Sequence, residues 1–218
     1  MNTTPTTANP VHLAARLGSC ELPHPSANLT ICCNTSTLYV AKYISPRQRP
    51  LTAEEAHIRS IAYALKVATP GAITIAAPAM AALIDGACWL VPVPASSGSL
   101  AVNFALARAI AQCLPGARVK CAVARAHPVE SSCQRRLRGL LGLTVLEHAI
   151  IRTAEPMEPL MAYFVDNVIT TGTTIAACRR ALGWGTGLTY ADASTRQNTH
   201  QPNSIASPTP KPEALAMC

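Results

Sequence analysis

The sequence predicts an α/β protein built on a central, mostly parallel sheet with helices on both faces. Three observations carry that expectation. Short apolar runs rich in Val, Ile and Tyr alternate along the chain with stretches whose apolar positions recur at helical spacing. Hydrophobic residues make up 49% of the 218 and charged residues only 13%, enough apolar material for a sizeable core. Aromatic residues make up only 4%, so Ala, Val, Leu and Ile must do the packing. That suits a sheet covered by small-residue helices better than a β-sandwich.

Residues 1–35 are rich in Thr, Asn, Pro and Ser without periodicity and are expected to be irregular or disordered. The domain proper is expected over 36–195. A strand is predicted at 37–43 (TLYVAKY). Thr52-x-x-Glu55 reads as a capping box that opens a helix to about Val67, with Ile58, Ile61, Ala62 and Leu65 on one face. Residues 72–84 are small and apolar throughout and read as a buried helix, with Pro78 as an N1 position, a kink or a break. A buried strand follows at 88–93 (CWLVPV). The Val91-Pro92-Val93-Pro94 run leads into a turn, and Ser99 is the expected N-cap of a helix to Leu114 with Leu100, Phe104, Ala107, Ile110 and Ala111 on one side. Residues 119–124 read as a strand, 125–139 as a long basic loop and 142–152 as a strand or hairpin arm.

Residues 161–180, MAYFVDNVITTGTTIAACRR, then form three pieces. An apolar strand at 162–165 is followed by a polar turn over 166–174 and a helix from Ile175 to Leu182. A strand that passes through a Thr/Gly turn into a helix offers free backbone N–H groups, hydroxyl donors and the positive end of a helix dipole, which together suit phosphate. An acid at the strand's end, Asp166, suits sugar hydroxyls or a hydrated Mg²⁺ better than it suits phosphate. A last strand is expected at 188–193. Gly183, Gly185 and Gly187 precede no helix and so are no dinucleotide fingerprint. Residues 196–218 are polar and Pro-rich and are expected to be a disordered tail.

The net charge is +7, and Arg118, Lys120, Arg125, Arg135, Arg136 and Arg138 fall close together with one acid, Glu130, among them. Beside a phosphate turn, that cluster reads as a polyphosphate neighbour in preference to a nucleic-acid surface. Nine cysteines without a C-x-x-C pair read as reduced thiols. The amino end lacks the basic start and apolar core of a secretory signal, and no apolar run is long enough for a membrane span, so a cytoplasmic protein is expected.

The string Val165-Asp166-Asn167-Val168-Ile169-Thr170-Thr171-Gly172-Thr173-Thr174 resembles the PRPP-binding signature of type I phosphoribosyltransferases, with Asn167 in place of the second acid. The VPVP turn, the Gln134–Arg138 stretch and the V-D-N-V-I-T-T-G wording are most similar to the ComF-type members associated with DNA-uptake competence. The resemblance spans about residues 37–195. It implies an enzyme that binds PRPP with Mg²⁺ and transfers the phosphoribosyl group to a base or amine acceptor, releasing pyrophosphate. By the same resemblance Asp166 would hold the ribose hydroxyls, directly or through Mg²⁺. Asn167 would stand beside it in the ribose-metal site with one negative charge fewer, and Thr170, Thr171, Gly172, Thr173 and Thr174 would cradle the 5-phosphate. Ala95, Ser96, Ser97 and Gly98 would form the pyrophosphate loop, and Lys120 or Arg125 would neutralise the leaving group. Thr170, where purine-type members carry an acid, argues against a purine acceptor. Asn167 opens an alternative, a regulatory or DNA-processing module that binds PRPP or a nucleotide with weakened turnover. A homodimer is an open partner.

Overall fold

A computed structural model describes residues 28–32, 35–45, 48–155 and 157–194. The expected tail at 196–218 and most of the expected irregular segment at 1–35 lie outside the described residues. Within that segment, residues 28–32 form a strand, β1 (Asn28–Cys32), hydrogen-bonded antiparallel to β2 (Thr35–Lys42).

The central sheet has the order β1-β2-β8-β7-β3-β4, with β3 at Cys88–Pro92, β4 at Arg118–Val119, β7 at Met161–Ile169 and β8 at Thr186–Asp192. Every pair except β1·β2 is parallel. The chain is therefore α/β with a mostly parallel sheet, as composition and periodicity imply. Strand alternation sorts the two faces. Cys88, Leu90, Tyr163, Val165, Leu188 and Tyr190 meet α1 (Ala53–Leu65), α2 (Pro70–Ala81) and α3 (Ala101–Cys113) on one side. Val91, Val93, Ala162 and Phe164 meet Ile175, Cys178 and Leu182 of α5 (Thr173–Leu182) on the other. Helices thus cover both faces, three against one. A fifth helix, α4 (Ser132–Leu137), is six residues long and falls between β4 and β7 in sequence.

Local chemistry accounts for the element ends. Thr52 accepts from the Glu55 N–H while the Glu55 carboxylate accepts from the Thr52 N–H, the capping box expected for α1. Pro70 takes the first helical position of α2, where its missing N–H costs nothing, and Pro78 is carried inside the same helix. No single helix among the described residues is long and apolar enough to cross a membrane.

Five expectations change. The strand or hairpin arm read at 142–152 shrinks to its last three residues, 150–152. The strand read at 119–124 is two: β4 joins the main sheet, while β5 (Val123–Arg125) leaves it to pair antiparallel with β6 (Ile150–Arg152). The break falls at Lys120, whose N–H donates to the Leu90 carbonyl and whose own carbonyl accepts from Ala122, folding the chain back. The 125–139 loop contains α4, opened by a second capping box between Ser131 and Gln134. Ser99 is not the N-cap of α3. Leu100 holds that position without a side-chain cap, and the buried stripe is Asn103, Leu106, Ala107 and Ile110. Finally, 166–169 belong to β7 rather than to the turn, which shrinks to 170–172.

Candidate functional site

β3 and β7 are neighbours whose connections diverge. β3 is followed by α3, which returns on one face to β4; β7 is followed by α5, which returns on the opposite face to β8. Parallel strands that send their helices to opposite faces leave a crevice at their carboxyl ends, the usual ligand position in open α/β sheets. Here β3 ends opposite Val165, so the last four residues of β7 run on past it, paired only with β8. A cleft of about 350 Å³ opens at that step.

Its floor is made by Val93, Pro94, Asp166 and Asn167, and its walls by Ala95, Ser96 and Ser99 from the loop after β3 and Thr174 from the first turn of α5. Residues 129–132 close a third side, pinned by the Val129 N–H to the Ser96 carbonyl at 2.8 Å. The loop after β3 is a tight turn, with Gly98 N–H donating to Ala95 and Ala95 N–H to Ser99, both at 2.9 Å. Gly98 sits at φ +90°, a conformation L side chains rarely adopt. The loop after β7 ends on Gly172 at φ +75°, which is the N-cap of α5 and supplies no side chain. The first N–H groups of α5 have no partner within the helix. They face outward at the loop where phosphate was expected, together with the positive dipole end.

Asp166 lies between the two loops. Its Oδ1 accepts from the Asn167 N–H at 2.8 Å and from Asn103 Nδ2 at 3.2 Å. Its low-dielectric surroundings push the carboxyl up to about 6, against the pull of these two hydrogen bonds and of the Arg125 and Lys66 charges. Asn103, on α3 and 7% exposed, also donates to the Val93 carbonyl at 2.8 Å, which fixes the orientation of its amide. Its Oδ1 has no partner among the described residues although it is buried at the edge of the cleft. A buried acceptor left in that state is costly and is expected to take a donor from a ligand or water. Asn167 turns its Oδ1 onto the neighbouring backbone, accepting from Val168 N–H at 2.7 Å.

The basic cluster does not act as one unit. Arg125 alone of the six lines the cleft. Arg118 pairs with Glu158 at 3.2 Å, and Arg138 and Arg135 with Glu130 at 3.0 and 4.0 Å. Lys120 is exposed beyond β4 and outside the cleft lining. Ser97, Gly98, Thr170, Thr171, Gly172 and Thr173 flank the cleft in the two loops without lining it.

Several residues of the cleft carried no expectation from sequence, among them Asn103, His148 and Lys66. Asn103 is an amide on the buried, otherwise apolar stripe of α3, and His148 follows Thr144-x-x-Glu147, a third capping-box pattern whose reciprocal bonds form at 2.7 and 3.3 Å. Lys66 stands just past the last turn of α1, its Nζ 4.9 Å from the Tyr63 ring centre.

Among the described residues no three His, Cys, Asp or Glu side chains converge as a metal-binding group. Mg²⁺ commonly takes one or two carboxylates and fills its shell with waters and substrate phosphates. The donors present, Asp166 with the Asn103 amide beside it, fit an ion brought in by a polyphosphate ligand better than a protein-caged one. No protein-family model matches the chain, and none of the curated proteins matches it.

Proposed function

We propose that the protein binds PRPP in this cleft and transfers its phosphoribosyl group to a nitrogenous acceptor, releasing pyrophosphate. The observation that carries this reading is the pairing of two anion-suited loops, 95–99 and 170–172, at the carboxyl ends of adjacent strands, with a carboxyl group between them. The α5 N-terminus would hold the 5-phosphate, the backbone turn at Ala95, Ser96, Ser97 and Gly98 the pyrophosphate, and Asp166 with Asn103 the ribose hydroxyls. Bound with the substrate, Mg²⁺ would offset the charge of the leaving pyrophosphate.

In the reaction the bond from C1 to the pyrophosphate oxygen breaks with its electron pair leaving on oxygen. The acceptor nitrogen's lone pair forms the new bond to C1, and the nitrogen's proton goes to solvent or the leaving group. The chain's part is to fix both ends of the substrate and to exclude water. Pyrophosphate release from PRPP with a panel of nucleobases and amines tests this. Asp166→Ala should lower the rate by about 10²-fold or more if the carboxyl positions the ribose. Release that survives the substitution unchanged contradicts the assignment.

A second reading follows from Asn167. With the second acid replaced by an amide committed to the Val168 N–H, the site carries one charge fewer for a ribose-bound metal. PRPP binding without turnover, and turnover gained by Asn167→Asp, would favour a binding module over an enzyme.

A further inference from the structure

One chain of hydrogen bonds crosses from the loop after β3 to the loop after β7. Arg125 donates from Nε to the Ala95 carbonyl at 2.6 Å. Its Nη1 donates to the His148 carbonyl and to His148 Nδ1, the latter at 3.3 Å. A guanidinium has donors only, so Nδ1 accepts and the ring's proton lies on Nε2. That nitrogen donates to Thr173 Oγ1 at 3.0 Å, and Thr173 Oγ1 shares a further hydrogen bond with Thr171 Oγ1 at 3.0 Å.

The ring is held where this requires. His148 is 3% exposed. The Thr144/Glu147 turn delivers it, Ala149 takes a positive φ of 50° to leave it, and the Ala149 carbonyl accepts from the Ala126 N–H beside Arg125. A non-glycine residue at positive φ costs conformational energy and persists only where its surroundings enforce it. Burial and the Arg125 charge both disfavour a second proton on the ring, which keeps Nδ1 an acceptor.

We propose that Arg125 and His148 form a positioning strut between the two anion-binding loops, making them one site for a ligand with two phosphate groups on a pentose-sized spacer. Arg125 has Nε and Nη1 committed to this bridge, so its main role differs from the direct pyrophosphate contact expected of it. Thr173 likewise turns its hydroxyl to the strut and leaves its backbone N–H for the ligand. Two loops at a fixed separation give the second phosphate a high effective concentration once the first is bound. Loosened loops keep their own donors but lose that coupling and must be ordered by the ligand.

The inference rests on the phosphoribosyl reading, and its test separates the two. Calorimetric titrations use the whole chain with three probes: PRPP, ribose 5-phosphate and inorganic pyrophosphate. His148→Leu, which removes both ring contacts, should weaken PRPP binding about tenfold or more while shifting each single-ended probe by less than about threefold. Thr173→Val, at a half-buried position less demanding of the fold, should show the same selective loss. His148→Gln, whose carboxamide can accept from Arg125 and donate to Thr173, should recover most of the PRPP affinity. Equal loss on all three probes, or no loss on any, overturns the strut while leaving the phosphoribosyl reading standing. A wild-type chain that binds none of the three overturns both.

Discussion

Asp166 and His148 titrate in opposite directions from one cleft, and that makes their environments measurable. Asp166 is raised to about 6 from an ordinary 3.8, so between those values the folded chain holds a proton that the unfolded chain releases. Its contribution to stability is present at low pH and lost as the pH rises through 6. His148 is lowered to about 4 from 6.5, so over that window the unfolded chain takes a proton that the folded chain refuses. Its contribution is present above 6.5 and lost as the pH falls toward 4. Melting curves in metal-free buffer between pH 4 and 6.5 should therefore diverge with substitution. Relative to wild type, Asp166→Asn should gain stability as the pH rises and His148→Gln should lose it. Parallel pH profiles for all three chains would mean that neither group is perturbed as described. Of these residues Asp166 was legible in the sequence, as the acid closing an apolar strand before a Thr/Gly turn. His148 and Asn103 were not, because a lone histidine or amide shows its role only when distant elements converge on it.

At the scale of elements, two contacts hold β2 against β8, one near each end of the pair. Asp192 ends β8 fully buried and accepts from Lys42 Nζ at 2.5 Å, at the end of β2, and from the Ser194 N–H at 2.7 Å. Removing the cation leaves a buried carboxylate without its partner. Because Lys42 keeps 41% of its side chain in solvent, Lys42→Met should cost about 1–3 kcal/mol in denaturant unfolding. Lys42→Met combined with Asp192→Asn should recover part of it. Gly187 faces Thr37 across β2·β8, where an added Cβ would lie 2.7 Å from Thr37 Cγ2. Thr37 is fully buried and has nowhere to move, so Gly187→Ala should destabilise by about 1–3 kcal/mol. An unchanged midpoint would show that the two strands can separate more easily than this packing implies. The glycine that failed as a nucleotide fingerprint thus has a packing reason.

The same scale shows where periodicity stops being informative. α1, α2, α5 and the strands β2, β3, β7 and β8 follow apolar patterns and land within a few residues of expectation. The stretch from 119 to 152 does not. Its apolar residues serve two different sheets and a surface, with Val119 in the main sheet, Val123 and Ile150 in the ribbon, and Leu141 and Leu146 exposed. Its order comes from polar turns, Ser131/Gln134 and Thr144/Glu147, which repeat the signature read at Thr52/Glu55. Capping boxes in an irregular stretch carried information that hydrophobic spacing lacked.

For the whole molecule, strand order assembles the cleft. The chain builds β2, β3 and β4 outward, then returns to insert β7 and β8 between β2 and β3. No local pattern announces that return. It alone brings the turn after β7 beside the turn after β3, with Asp166 at the step between them. The expected partner residues at 95–98 and 170–174 are more than seventy positions apart in sequence and meet only through this insertion. The central claim is that the two turns receive one doubly phosphorylated pentose. Calorimetric titration of the wild-type chain with PRPP in the presence of Mg²⁺ tests it most directly. Saturable binding tighter than that of ribose 5-phosphate or pyrophosphate alone is the predicted result. No PRPP binding at millimolar concentration, with the chain folded, would contradict it.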